Sequence, residues 1–500
     1  MGSIKERNAS LWVRTTGGAP WPVLSEDATT DVVVVGAGIT GLTTARLLAA
    51  RGVAVTVVEA GELCAGATGY TTAKVSSLHG LVYGELADRF GDERAAAYGA
   101  ANQAAVAEVR RLVEADGIAC ELEAADAFTW TEQPGRMAAV AKEAAVAARL
   151  GLPADHTTET ALPFPVLGAV RFRDQAQLHP RKYCLGLAEA AARQGAVIHE
   201  HTRALDVEES SGGCTVTTDR GTIRAGHVVL ATHLPFPARG AYFARAYPTR
   251  SYCIAAKAEA PEGMYLSADE PTRSVRGAAG GWLIIGGEGH KVGHDDDTRR
   301  RYQALEGWAA ERFGITAVEH RWSAQDHRTA DGLPYVGRLD PFAHRVFVAT
   351  GFRKWGMTNG TAAAMILADA VTGTEHPWAW VFDSTRFELA RSARTFVREN
   401  AVVATRFVGD KVATLRRPKA DDLGEGEGGI VDLDGHKVAA YRGPDGLHCV
   451  SARCTHLGCE VRFNTAEATW DCPCHGSRFD VEGRVLEGPA VRDLERQPKE

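Results

Sequence analysis

No stretch of this chain stays apolar for the ~18 to 20 residues that crossing a bilayer requires. Its first residues also lack the basic-then-apolar order of a secretory leader, so the expected compartment is the cytoplasm. Basic runs are missing as well. With 63 acidic against 56 basic residues the net charge is −7, which argues against nucleic acid as a partner. Cysteine is scarce: 10 in 500 residues cannot build a disulfide scaffold. Yet five of the ten fall between Cys449 and Cys474, and clustering of that kind reads as metal binding. The length allows about two to four domains, each with its own core.

What is present, first, is a complete nucleotide-binding unit at residues 31–59, DVVVVGAGITGLTTARLLAARGVAVTVVE. The β-branched run 31–35 suits a strand buried on both faces of a parallel sheet. The turn Gly36-Ala37-Gly38-Ile39-Thr40-Gly41 follows it. Gly36 permits the tight turn, Gly38 lets backbone approach a pyrophosphate, and Gly41 lets the helix 42–50 pack on the strand. A second strand, 53–58, ends in Glu59, 18 residues after Gly41 and placed to accept hydrogen bonds from a ribose hydroxyl. A lone G-x-G-x-x-G motif is weak evidence; here the strand, helix and acidic residue all stand in their places.

Residues 1–28 read as an irregular arm with isolated tryptophans. After Glu59 and Ala60 comes a loop of small and hydroxyl residues, in which Thr68, Thr71 and Thr72 can crowd round a cofactor. The strand 227–231, ending at Thr232, returns the chain to the nucleotide sheet. Residues 245–325 alternate as strands and read as an inserted antiparallel substrate domain. Within them LIIGGEG, from Leu283, lacks a following helix, so no NAD site is expected. A return segment carries Gly337, a strand 346–349, and the loop Gly351-Phe352-Arg353-Lys354-Trp355-Gly356-Met357-Thr358 before a helix 361–371. The N-terminus of that helix would face the redox end of the cofactor.

These residues carry a resemblance. The 36–59 unit, the 65–72 loop, the 228–232 strand and the 337–360 return resemble FAD-dependent amine and amino-acid oxidoreductases, the superfamily of glycine oxidase, sarcosine oxidase and D-amino-acid dehydrogenases. The resemblance covers residues 29–385 and implies an α/β Rossmann-like FAD domain with an inserted antiparallel-sheet substrate domain. It implies that Gly36, Gly38, Ile39, Thr40, Gly41, Glu59 and Ala60 hold the ADP half. Thr68, Thr71, Thr72, Ala204 and Thr232 line the cofactor, Ala204 through its backbone near adenine. Gly337 and Gly351 shape the return, and Phe352, Trp355, Gly356, Met357 and Thr358 lie along the flavin. Relatives with covalent flavin use a cysteine in the return loop or a histidine in the first loop. Neither is here, so dissociable FAD is expected.

The second constellation is Cys454-Thr-His456-Leu-Gly-Cys459 and Cys472-Pro-Cys474-His475-Gly-Ser477, with 15 residues between His456 and Cys472. Two loops, each with one thiolate and one imidazole, match a Rieske [2Fe–2S] cluster. Zinc is the competing reading, but zinc fingers pair both cysteines in one loop and both histidines in one helix. Residues 420–500 are similar to the Rieske domains of quinol-oxidising cytochrome complexes, an all-β fold, joined to the rest by a helical connector at 386–419. The resemblance implies Cys454, His456, Cys472 and His475 as ligands and a disulfide between Cys459 and Cys474. It also implies that the Ser477 hydroxyl bonds a cluster sulfur. Phe479 stands where high-potential relatives have tyrosine, which lowers the expected potential.

A two-electron flavin beside a one-electron cluster makes sense if the flavin strips a substrate and the cluster exports electrons. The expected reaction is dehydrogenation of a C–N bond in an amine or amino acid. Single electrons would pass to an external acceptor, a protein or quinone. Lys74 is the candidate to sit over the flavin, and Arg250, Tyr252, Arg328 and Trp355 are the candidates to line the substrate pocket; His79 and Cys64 read as packing. Two rivals stay open, an amine oxidase that reduces O2 directly and a non-catalytic flavin/Rieske adaptor.

Overall fold

The computed structural model describes residues 8–295, 297–386, 419–433 and 435–498. The expected connector at 386–419 lies outside them, apart from Arg386 and Lys419 at its ends. The apolar run of the first strand, Ala28–Val35, is buried over its last four residues between parallel neighbours Val55–Val58 and Thr222–Leu230. Its sheet runs Tyr335–Arg338, Val346–Thr350, Thr222–Leu230, Ala28–Val35, Val55–Val58, Val197–His199. The helices Ile39–Ala49, Asp92–Asp116 and Gly356–Val371 pack together in the main core beside it. This topology brings the carboxyl ends of the parallel strands, where open α/β sheets bind ligands, to the turn at Gly36.

The second sheet has nine strands and is larger than residues 245–325. Beside Ala246–Lys257, Met264–Ser267, Arg273–Ala278, Trp282–Lys291 and His320–Thr329 it takes in Glu123–Thr131, Ala154–Thr157, Gly168–Gln177 and Lys74–Val75. The earlier strands escape a linear reading because they pair with segments more than 100 residues away, Met264–Ser267 lying parallel to Glu123–Thr131. The return helix also begins at Gly356, five residues before the expected 361. The N-terminal arm forms a short helix, Leu11–Thr15, whose Trp12 Nε1 donates to Thr71 O at 2.7 Å and so braces the 65–72 loop.

The C-terminal segment is all β. A three-stranded sheet, Gly428–Leu433, His436–Gly443 and Gly446–Ser451, stands beside a four-stranded one, Arg462–Asn464, Thr469–Asp471, Arg478–Phe479 and Val485–Glu487. Among the described residues no helix is long and apolar enough to cross a membrane.

Candidate cofactor and cluster sites

Glycine is obligatory at the first turn. Gly36 has φ +104°, and a Cβ there would lie 2.6 Å from Ala231 O; a Cβ at Gly41 would lie 1.9 Å from Gly36 O. Glu59 is held by two backbone N–H groups, of Ala37 at 2.8 Å and Gly61 at 2.9 Å. Burial pushes its carboxyl up, while these two donors hold it down. Thr68 Oγ1 accepts from Ile39 N at 3.1 Å, so the loop hydroxyl sits on the helix N-terminus. A cavity of about 1640 Å³ opens here, larger than the ~300 to 1,000 Å³ of ordinary ligand pockets and roomy enough for a dinucleotide with a substrate. It is lined by Gly36, Gly38, Ile39, Thr40, Glu59, Ala60, Thr68, Thr71, Thr72, Ala204 and Thr232, and at its far end by Phe352, Trp355, Gly356 and Met357. The residues fit FAD.

Four expected contacts fall elsewhere. A Cβ at Gly337 would meet Ser384 Oγ at 2.8 Å, and one at Gly351 would meet Thr329 Cγ2 at 2.2 Å, so both glycines serve packing. Because the return helix starts early, Thr358 is turned inward, its Oγ1 donating to Ser76 O at 2.9 Å. Gly41 likewise lies behind the cavity wall, holding helix to strand.

At the far end Lys74 is buried, and its Nζ donates to Tyr265 O at 2.6 Å and to Ser274 Oγ. Burial, aided by Arg276, lowers its pKa to about 7. Tyr252 OH pairs with His290 Nε2 at 3.0 Å, and both residues line the cavity. Arg328 lines it too, with its side chain largely exposed to the space. Trp355 stacks on His79 at 4.6 Å, and burial holds that imidazole neutral, at about 3. His79 packs against Tyr98 and Thr358 as expected, yet it also reaches the cavity.

Arg250 is a correction. Its guanidinium is turned away from the cavity to Asp471, 3.0 Å distant in the C-terminal domain, and also donates to Ser323 Oγ and Gln325 Oε1. A buried arginine needs a partner, and the partner lies 221 positions on. Lys354 is the residue the sequence reading missed. Arg353 and Lys354 sit in the left-handed region at φ 53° and 72°, a strain that clusters at functional sites. Lys354 Nζ donates to Ser251 Oγ, its N–H to Asp326, and burial lowers its pKa to about 8. The visible signal was a charged pair inside an otherwise small and aromatic loop.

The two cysteine turns are built alike. Cys454 O accepts from Gly458 N at 2.9 Å, and Cys472 O from Gly476 N at 3.0 Å; both glycines have φ near +80°. Each turn closes by a return bond, Cys454 N to Cys459 O at 2.8 Å and Cys472 N to Ser477 O at 2.7 Å. The shared C-x3-G spacing was legible but unread. Between the turns the Cys454 and Cys472 thiols are neighbours, and Cys472 pushes the Cys454 thiol down to about 7. His456 and His475 stand edge to face, 5.0 Å between rings. Their Nδ1 atoms are buried without a hydrogen-bond partner among the described residues, which is costly unless a metal takes them. Burial keeps both imidazoles neutral, at about 4 and 3. Cys459 and Cys474 are at disulfide distance, 2.19 Å. Cys472 is near these sulfurs also, within 4.8 Å, but the bonded pair is not free to ligate. Two thiols and two orphaned imidazole nitrogens fit a [2Fe–2S] cluster. Ser477 Oγ accepts from Ala490 N at 3.0 Å and neighbours Cys454, and Phe479 is fully buried.

The strand His320–Thr329 separates the two sites. Ala324, Asp326 and Arg328 border the cavity, and so does Gln325, whose Nε2 also donates to Gly476 O at 2.7 Å; His327 Nε2 lies 3.1 Å from His475 O. Asp326 also pairs with His233 at 3.1 Å, and His233 packs on His327. Phe243 covers the outer side, its ring 5.6 Å from His475 and 6.3 Å from His456.

Comparison with known proteins agrees with this division. A family model described as FAD dependent oxidoreductase matches residues 31–370, and one described as Rieske [2Fe-2S] domain matches residues 414–498. Over 501 residues the chain is 37% identical to the Bacillus subtilis (strain 168) protein YhfW, named as a Rieske 2Fe-2S iron-sulfur protein, covering 98% of each. The cytochrome b6-f complex iron-sulfur subunit of Synechococcus sp. (strain JA-3-3Ab) is 44% identical over 71 residues, 14% of this chain and 37% of its own. The crystal structure of glycine oxidase from Geobacillus kaustophilus superposes with TM-score 0.59 at 24% identity, over 72% of this chain and 99% of that one. That likeness shows the fold.

Proposed function

Since the chain belongs to the family of FAD dependent oxidoreductases and carries a Rieske [2Fe-2S] domain, we propose that it is a dehydrogenase of a C–N bond in an amine or amino acid. Single electrons leave through the cluster domain to an external protein or quinone. When bound, FAD supplies a two-electron hydride acceptor and the [2Fe–2S] cluster a one-electron carrier. Gly36, Gly38 and Glu59 hold the ADP half, and Cys454, His456, Cys472 and His475 hold the cluster.

The observation that carries this reading is the strand His320–Thr329, which borders the cavity and is bonded to the cluster turn through Gln325 and His327. An enzyme that handed electrons straight to O2 would have no use for that contact.

Within the cavity, Arg328 and Lys354 offer positive charge to a substrate carboxylate, and the neighbouring Phe352 and Trp355 exclude water. Hydride loss requires the substrate amine to be neutral. Lys74 with a pKa of about 7 suits the proton acceptor: as a neutral amine it has two N–H bonds, both taken by Tyr265 O and Ser274 Oγ, and a lone pair left over. Tyr252 and His290 close the wall beside it.

An anaerobic titration with amines and amino acids, read by flavin absorbance and by product analysis, tests this. The expected result is one compound class that bleaches the flavin and yields the imine's hydrolysis product. Bleaching by NADPH and by no amine would reverse the direction of electron flow.

A further inference from the structure

The cavity that fits FAD is not closed by the N-terminal domain alone. On the side facing Ala60, Arg203 and Thr232 its wall is residues 484–491 of the cluster domain. Arg203 Nη2 donates to Val485 O at 3.2 Å, and Arg203 itself stands close enough to Glu59 to act on its charge. Val485 therefore lies at the adenosine end. Further along, Glu487 comes near both Tyr70 and His233, so the segment follows the cavity towards its redox end.

This wall is tied to the cluster turns. Ala490 N donates to Ser477 Oγ at 3.0 Å, next to the ligand-bearing turn, and Val485 N donates to Asp493 Oδ1 at 2.8 Å. The domain as a whole is pinned by Arg250–Asp471 at 3.0 Å, by Tyr302 OH to Glu467 Oε1 at 2.7 Å, and by Thr298 Oγ1 to Asn464 Oδ1 at 2.7 Å. A segment that moves with the cluster turns thus also bounds the flavin site.

We propose that the cluster domain is the lid of the FAD site: residues 484–491 lie over the bound cofactor, and FAD enters or leaves only when the domain lifts. Retention of FAD and docking of the cluster domain are then linked, and each strengthens the other by the same factor. The linkage holds whatever the substrate and whichever way electrons flow.

Hydrogen exchange on the full chain, cluster intact, before and after FAD is restored to the flavin-free protein, tests the proposal. Amides of residues 484–491 are expected to exchange at least ~10-fold more slowly with FAD, while the remote strand His436–Gly443 stays unchanged. Protection confined to the N-terminal domain would overturn it. A double variant, Arg250→Met with Tyr302→Phe, loosens the pins at two residues that do not line the cavity and leaves Asp471 and Glu467 their bonds to Arg478. Where its 484–491 amides become freely exchanging and its cluster EPR signal persists, FAD is expected to dissociate at least ~10-fold faster. Release at the wild-type rate in that state would contradict the lid.

Discussion

The two sites of this molecule are built on opposite plans. The cluster site is local: four candidate ligands fall between Cys454 and His475, on two turns of the same design. The flavin and substrate cavity is dispersed, drawing Gly36, Lys74, Tyr252, Arg328 and Lys354 from strands and loops more than 300 residues apart. A metal centre demands few donors at short range, so short turns can supply it. A cavity that must hold a dinucleotide and orient a substrate needs walls from several elements.

The contrast predicts effects of different kind and size. Cys472→Ser removes one of two adjacent thiols and is expected to abolish the Rieske EPR signal while the flavin spectrum stays. Gly41→Val puts side-chain atoms where even a Cβ would be 1.9 Å from Gly36 O. It is expected to weaken FAD binding more than ~100-fold, with the cluster signal kept, because such a clash cannot relax without moving the phosphate-binding turn. A Rieske signal kept in the first variant or a cluster lost in the second would break the division.

Arg328→Met acts on one wall only. It is expected to raise KM for the carboxylate-bearing substrate by ~10-fold, the worth of about 1.4 kcal/mol, and to leave carboxylate-free amines unaffected. A smaller effect comes from pH. Below about 7 the buried Lys74 is charged and cannot accept a proton. The flavin-bleaching rate should therefore rise with pH to a plateau above ~7, and Lys74→Met should lose that inflection.

Stability responds in the same direction. The unfolded chain keeps this lysine protonated up to its ordinary 10.5, so between about 7 and 10.5 the unfolded state binds more protons and stability rises with pH. Lys74→Met removes that rise, as unfolding midpoints measured across the range would show.

What was legible in the sequence follows the same contrast. The unit ending in Glu59 and the two cysteine turns could be read because their residues are contiguous and their spacing carries the chemistry. The substrate end could not. Arg250 looked like a pocket residue because its partner, Asp471, belongs to another domain. Thr358 was expected along the flavin by resemblance, but the return helix already starts at Gly356 and turns its hydroxyl to Ser76 O. Lys354 gives no periodic signal; beyond the charged pair it forms with Arg353, its positive φ and its bonds to Asp326 and Ser251 mark it. The strand His320–Thr329 adds to this: it borders the cavity and bonds the cluster turn through Gln325 and His327, and the sequence does not show what lies on either face.

The central claim is that the cluster docked on this strand takes electrons from the flavin of the same chain. An anaerobic single-turnover experiment, mixing the oxidised protein with the substrate that bleaches it and following flavin absorbance with freeze-quenched Rieske EPR, tests it directly. The account predicts that the reduced-cluster signal grows at a rate independent of protein concentration. A cluster that stays oxidised after the flavin bleaches, or one reduced at a rate proportional to protein concentration, would contradict it.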